Sequence, residues 1–335
     1  ASLALRKKLL AKFALYFKNE ASFSIASALI LGYRKSISPE LQSSFSSTGV
    51  VHVLSVSGLH VSLVFAFLSY LLKPLDRYRW GKYARLILIG LCIWCYVFLT
   101  GLAPPILRAG IMLSFYLLSL AILRQQDNLN TLFASAFLIL LLDCRMLFTI
   151  GFQLSYAAVF GIFTLYPLAL SLYQVKHVVV NSLLKFCYLS LSAQLFTAPL
   201  ALYYFNQFPT YFLLGNLCVA LPIVGIMYAG ITLALIPMES VAKPIAWLME
   251  RLITVLLEIL HALEGLPSAV QQGIAFEEWQ ALWAYALLLL FIYVCRTASK
   301  RAFWLLHMLL LGFIVVHISG MLQQRRFAGV KVYNM

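Results

Sequence analysis

Nine stretches of the chain stay apolar over roughly the length a membrane-crossing helix needs, about 20 residues. They are 50–72, 83–100, 105–123, 131–149, 150–170, 183–204, 211–236, 281–295 and 303–322. The pattern predicts a helix for each. Two are irregular. Run 211–236 carries Pro222, Gly225 and Gly230, so a broken helix is expected there, and such backbone is tolerated only where protein or a watery cavity covers it. Run 281–295 is short and fits a tilted or re-entrant segment.

Two further stretches have helical periodicity without the apolar content of a span. In 3–18, Leu5, Leu9, Leu10, Phe13 and Phe17 fall on one side and Lys8 and Lys12 on another, the pattern of a helix lying in the membrane interface. In 244–265, Glu250, Arg251, Thr254, Glu258 and His261 form a polar stripe on a greasy helix. A charge at the bilayer centre costs about 2.5–3.5 kcal/mol. The stripe therefore lies at the surface, against a partner, or facing a wet interior.

Composition narrows the class. Of 335 residues, 63% are hydrophobic and 11% charged, against about 45–50% and 25% in soluble domains. A soluble core of this size could not hide so much apolar surface, and disorder or a disulfide scaffold is excluded as well. The expected fold is all-α: a polytopic transmembrane helical protein with amphipathic interfacial helices. Its three parts are a basic interfacial lead-in over 1–49, a membrane domain over 50–322 and a short tail over 323–335. The N-terminus shows no apolar core followed by a small-residue cleavage site, so no signal peptide is expected.

Lys and Arg number 25 against 11 Asp and Glu, a formal charge of +14. So few carboxylates argue against a proton pump built on buried acids and against a two-metal nuclease in this chain. Lys73, Arg77, Arg79, Lys82 and Arg85 read as a cytoplasmic loop. The stretch before the first span is also basic, with Arg6, Lys7, Lys8, Lys12, Lys18, Arg34 and Lys35. If the 73–85 loop is inside, these residues lie outside and would attract a polyanion. The parity of crossings beyond 236 stays open. Cys92 and Cys95 form a C-x-x-C inside an apolar helix, which reads as packing rather than redox chemistry.

Four segments interrupt the apolar runs, and at membrane depth each polar group must find a partner. In 52–63, His52, Ser55, Ser57, Gly58, His60 and Ser62 suit either close helix packing or a hydrated path. In 101–112, Pro104 and Pro105 suit a helix start, and Arg108 either snorkels or faces an anion. In 151–162, Gln153, Ser155 and Tyr156 come early in a span. From Gln194 to Pro222, past Pro199, amides at Asn206, Gln207 and Asn216 alternate with aromatics. Those aromatics suit an interfacial belt, or stacking of single-strand bases worth about 1–3 kcal/mol each. The six His form no ligand pattern and no glycine-rich phosphate loop is present, so neither a metal, a cofactor nor ATP hydrolysis is expected.

Together these segments resemble the competence domain of the ComEC family, the inner-membrane DNA-uptake channel of naturally transformable bacteria. TGVVHVLSVSGLHVSL (48–63) is similar to the family's signature, a His followed by an (I/V)SGLH run. GLAPPILRAGIM, GFQLSYAAVFGI and the Asn216–Pro222 stretch match its later blocks in order, and LILGYRKSISPEL (29–41) resembles its lead-in. VKVYNM (330–335) resembles the first strand of the family's metallo-β-lactamase-like domain, so any nuclease would lie outside this chain and no enzyme activity is expected of it.

The resemblance implies passage of one DNA strand into the cytoplasm. His52, Ser55, Ser57, Gly58, His60, Arg108, Gln153, Ser155, Tyr156, Gln194 and Asn216 are expected to line the path. Arg6, Lys7, Lys8, Lys12, Arg34 and Lys35 would attract the strand, and Pro104, Pro105, Pro199 and Pro222 would break helices. Expected partners are single-stranded DNA, membrane lipids, a periplasmic DNA receptor, cytoplasmic single-strand binding or translocating proteins, and a second copy in a homo-oligomer. Two other readings remain. Ser57 with His60 nearby resembles the dyad of an intramembrane serine protease. A secondary transporter of small anions is the other, although the internal repeat it calls for is not visible.

Overall fold

The computed structural model describes residues 2–123, 125–172 and 175–330, with side chains as far as Val316 except that of Leu172. The described residues form fourteen α-helices and one two-stranded antiparallel sheet. They divide into two compact units, Ala1–Phe160 with Gln207–Gln272, and Gly161–Asn206 with Gly273–Met335.

The first unit begins with α1 (Ser2–Tyr16), α2 (Glu20–Leu31), α3 (Pro39–Ser47), α4 (Val51–Leu54) and α5 (Gly58–Leu71). It continues through α6 (Gly81–Thr100), α7 (Pro104–Ile122), α8 (Asn128–Leu142) and the start of α9 (Ile150–Leu172). After an excursion through the second unit, the chain returns as β1 (Gln207–Pro209), α11 (Phe212–Leu235), α12 (Glu239–Glu264) and β2 (Val270–Gln272). The strands pair with Phe208 opposite Gln271, so they strap together the open end of the α11–α12 hairpin. The second unit holds the rest of α9, α10 (Val178–Phe205), α13 (Glu278–Thr297) and α14 (Lys300–Val330).

Six of these helices, α6, α7, α9, α10, α11 and α13, are long and apolar enough to cross a membrane. A helix satisfies most of its backbone polar groups internally, as hydrocarbon demands. The chain is an all-α, multi-pass membrane protein.

Four expectations about the spans are corrected. Run 50–72 is two helices, because Ser55 and Ser57 are extended and separate one-turn α4 from α5. Run 131–149 stops at Leu142, where Asp143 leaves the helix and its Oδ1 accepts from Arg145 N–H at 3.0 Å, opening a 3₁₀ turn at Cys144–Phe148. Run 281–295 is not a short segment but part of the 20-residue α13. Neither Pro222 nor Pro199 ends its helix, since α11 and α10 run straight through them. Proline removes one backbone donor and strains the turn before it. Beside Pro199, Tyr285 Oη donates to Phe196 O at 2.7 Å, a side-chain bond to the strained turn that precedes the proline. Run 303–322 falls inside α14, its side chains beyond Val316 lying outside the described residues; of the expected tail over 323–335, residues 323–330 continue α14 and 331–335 lie outside the described residues.

The core of the first unit is built on α2. Ser24 to Leu31 are all buried, so this part of the lead-in is an interior helix and not an interfacial one. Its neighbour α11 approaches closely at Gly230, where an added Cβ would lie 1.7 Å from Ile30 Cδ1. The buried seam of α12 is Ala242, Ala246, Met249, Ile253, Leu256, Leu260 and Leu263. Its alternating steps of four and three are those of a coiled-coil stripe. That stripe leaves the polar residues of the 244–265 stretch on other faces: Arg251 lies 5.6 Å over the Trp247 ring, and Glu250 accepts from Asn19 N–H at 3.4 Å.

Candidate functional site

The elbow between α4 and α5 owes its shape to two residues. Ser57, with φ −119° and ψ 178°, is the N-cap of α5, and His60 is the third residue of that helix. They form a capping box in which His60 takes the place usually held by Glu or Gln. Ser57 N–H donates to His60 Nδ1 at 3.1 Å, and Ser57 Oγ is 3.0 Å from the same nitrogen. A backbone N–H can only donate, so Nδ1 is the acceptor and the neutral imidazole carries its proton on Nε2. His60 is 1% exposed, and Nε2 has no partner among the described residues. A buried donor left unmet costs about 1–3 kcal/mol.

Gly58 follows the cap, beside α7. A Cβ there would sit 3.3 Å from Arg108 Nη2, a tight contact, and 3.7 Å from Ala109 Cβ, an ordinary one, so α5 and α7 lie close together here. Pro104 and Pro105 open α7 and place Arg108 on its second turn, facing inward and 7% exposed. Arg108 Nε donates to Ser155 Oγ on α9 at 2.9 Å. The guanidinium lies over the Tyr156 ring, 5.8 Å from its centre, and Nη1 is 3.8 Å from Met112 Sδ. Tyr156 Oη and Ser135 Oγ on α8 are 2.9 Å apart, so α5, α7, α8 and α9 converge on one cation.

That cation has no counter-charge among the described residues. The ion pairs among the described residues are Arg85 with Asp76, Arg145 with Asp143 and Lys243 with Glu239, and none involves Arg108. Isolating a buried charge costs several kcal/mol, and Arg108 borders the N-terminus of α5, itself partly positive. Both features attract an anion.

The other expected path residues lie elsewhere. His52 is exposed on α4, and Ser55 stands in the elbow itself. Gln153 Nε2 donates to Leu147 O at 3.0 Å and so closes a local turn. Asn216 is on α11, while Gln194 is on α10 of the second unit. Ser135 was not singled out from the sequence; its one signal is a hydroxyl within the apolar run of α8.

The basic residues split into two groups. Lys7, Lys8 and Lys35 are exposed. Arg6 Nε instead donates to Leu31 O at 3.2 Å, at the end of α2, and Arg34 Nε to Leu54 O at 3.1 Å, at the end of α4. Lys12 Nζ donates to Leu233 O at 2.7 Å and Ile236 O at 2.5 Å, at the end of α11. Terminal carbonyls carry partial negative charge and no intrahelical partner, which is why a cation settles there. Arg34 as a residue is exposed, but partial desolvation at this carbonyl holds its guanidinium below its ordinary range.

Two hollows flank α3, one mainly polar and one mixed. One, of about 400 Å³, is lined by Gln42, Ser43, Ser46, Gln207 and Gln272; the other, of about 480 Å³, includes Ser24, Ser36, Glu40, Ser44 and His261. No cluster of metal-ligating side chains occurs among the described residues. The six cysteines are free, and Cys92 and Cys95 are exposed on α6 rather than packed in a core.

Comparison with known proteins places the chain. The profile of the family described as Competence protein matches residues 29–298. ComE operon protein 3 of Bacillus subtilis (strain 168) is 36% identical over 187 residues, 56% of this chain and 23% of that protein. An uncharacterized protein of Aquifex aeolicus (strain VF5) is 35% identical over 156 residues, 46% of this chain and 36% of that one. The uncharacterized protein YcaI of Escherichia coli (strain K12) is 27% identical over 133 residues, 38% of this chain and 18% of that one. The chain thus spans well under half the length of the curated relatives it matches. No solved structure matches it.

Proposed function

The chain belongs to the competence protein family, and from that premise we propose that it is the membrane part of a channel carrying a single DNA strand across the bacterial inner membrane into the cytoplasm. The observation that carries the reading is Arg108, a buried guanidinium without a carboxylate partner, set among hydroxyls where four helices meet. A single strand bears one negative charge per nucleotide, so its route needs positive potential and polar walls. Arg108, Ser155, Ser57 and His60 supply these. Exposed Lys7, Lys8 and Lys35 raise the local concentration of a polyanion. No base-reading motif is called for, since a conduit must accept any sequence. A periplasmic receptor that delivers the strand, cytoplasmic proteins that draw it in, surrounding lipid and a second copy of the chain are the partners of this reading. Nuclease activity belongs to segments outside this chain.

Cysteine scanning along α5 and α7, in a background lacking the six native cysteines, tests the proposal. Labelling by a water-soluble thiol reagent is expected on the faces bearing Gly58 and Arg108, with protection by single-stranded DNA. Labelling indifferent to DNA removes the reading. In cells, Arg108→Glu and His60→Leu are each expected to lower transformation at unchanged membrane levels.

The serine protease reading draws on one observation, the 3.0 Å approach of Ser57 Oγ to His60 Nδ1. Nδ1, however, already accepts the backbone N–H of Ser57, which makes the contact part of a helix cap. Fluorophosphonate labelling that is lost in Ser57→Ala decides between the two. Uptake of a small anion without DNA favours the transporter instead.

A further inference from the structure

We infer that the N-terminus of α5 and the Arg108 guanidinium together form a binding subsite for one phosphate oxyanion, of the phosphodiester class. The inference rests on the channel reading only for what carries that phosphate. The first amides of a helix have no intrahelical partner. Gly58 and Leu59 N–H make no hydrogen bond among the described residues, whereas the next two amides are taken up at the cap, His60 N–H by the Ser57 side chain and Val61 N–H by Ser57 O at 3.3 Å. A helix start alone would say little, because many face water.

The second observation is independent of the helix. Arg108 is more than nine-tenths buried, and Nη2 makes no hydrogen bond among the described residues. Ser155 holds the Nε edge and Tyr156 backs one face, so the Nη2 corner is directed at α5. It lies 3.3 Å from the position a Gly58 Cβ would occupy. By standard bond lengths this puts Nη2 within about 6 Å of the Gly58 nitrogen. Two oxygens of one phosphate can each accept at about 2.8 Å from donors that far apart.

Electrostatics supports the same ligand. A guanidinium and a helix N-terminus are both positive, and bringing them together in a dry interior is unfavourable unless an anion lies between them. The planar fork of Arg and backbone amides are the usual cradle of a phosphate group. His60 does not touch the ligand in this scheme. It is a positioning residue, since its Nδ1 takes up the Ser57 amide and leaves the next two amides as the free ones.

The test uses the purified full chain in a phosphate-free detergent, with dimethyl phosphate as the minimal phosphodiester. Dimethyl phosphate is expected to raise the melting temperature of the unaltered protein saturably. Arg108→Gln is expected to weaken that binding about tenfold or more, and Gly58→Ala, whose methyl crowds Nη2 without changing charge, to weaken it by less. Arg108→Lys keeps the charge, loses the fork and should fall between the unaltered protein and Arg108→Gln. If Gly58→Ala does not fold, the two Arg108 variants decide. Equal binding by all variants, or none by the unaltered chain, overturns the inference.

A short oligothymidylate with phosphodiester linkages, compared with its uncharged methylphosphonate counterpart, separates this inference from the channel reading. Dimethyl phosphate binding without any phosphodiester preference in the strand keeps the subsite and removes the DNA. Strand binding that survives both Arg108→Gln and Gly58→Ala keeps the DNA and removes the subsite.

Discussion

Arg108 on α7 donates through Nε to Ser155 Oγ on α9 at 2.9 Å, across 47 positions of chain, and this bond decides which corner of the guanidinium meets α5. Ser155→Ala removes the anchor without touching the charge. A hydrogen bond to a charged group contributes about 1.5–3 kcal/mol, so DNA uptake should fall at least several-fold at constant membrane abundance. Ser155→Thr keeps the hydroxyl and should retain most activity. Uptake by Ser155→Ala at the unaltered level would show that the anchor has no role in transport.

His60 offers a test of capping against chemistry. Glutamine at the third helical position can also reach back to the N-cap amide. His60→Gln is therefore expected to keep the melting temperature, whereas His60→Leu should lose about 1 kcal/mol of stability. If the two variants melt alike, the Ser57 N–H to Nδ1 bond does not hold the elbow.

Gly230 is where α11 passes α2. An alanine methyl there would overlap Ile30 Cδ1, which lies 1.7 Å from the added Cβ. Overpacking of this kind costs about 1–3 kcal/mol, so Gly230→Ala should melt lower. Trimming the neighbour, in Gly230→Ala with Ile30→Val, should recover part of the loss, and a double-mutant cycle reads the coupling directly.

The N-terminal lysines should separate by role. Lys12→Gln removes the cation from the Leu233 and Ile236 carbonyls and is expected to cost about 1 kcal/mol, as for a charge at a helix C-terminus. Lys7→Gln with Lys8→Gln, both exposed, should leave the melting temperature unchanged and reduce the salt dependence of DNA binding. Equal melting of the two variants would show that Lys12 does not hold α1 against α11.

How legible the molecule was depends on the range of the interaction concerned. The 3.6-residue pattern and the long apolar runs located nearly every helix, because burial in lipid is decided residue by residue along each segment. The start of α7 at Pro104 could be read because a proline at a helix start acts within one turn, whereas the start of α5 at Ser57 was hidden inside one continuous apolar run. Pro199 and Pro222 were misleading. Whether a proline ends a helix depends on what supports the strained turn before it, and at Pro199 that turn receives the Tyr285 hydroxyl on Phe196 O, from 89 positions away in the sequence.

Sequence by itself determined a polytopic helical membrane protein, its family and the cluster of unusual polar residues at 52–60, 108 and 153–156. These follow from composition and local spacing, which each residue carries wherever the chain goes. Only the tertiary structure decided what the cations do. Lys12, Arg6 and Arg34 look like the other basic residues of the lead-in until the ends of α11, α2 and α4 are seen beneath them. Arg108 acquires its meaning from Gly58 on α5 and from Ser155 and Tyr156 on α9, brought from two other parts of the chain. The reason is that charge acts through distance in space, and distance in space is set by packing.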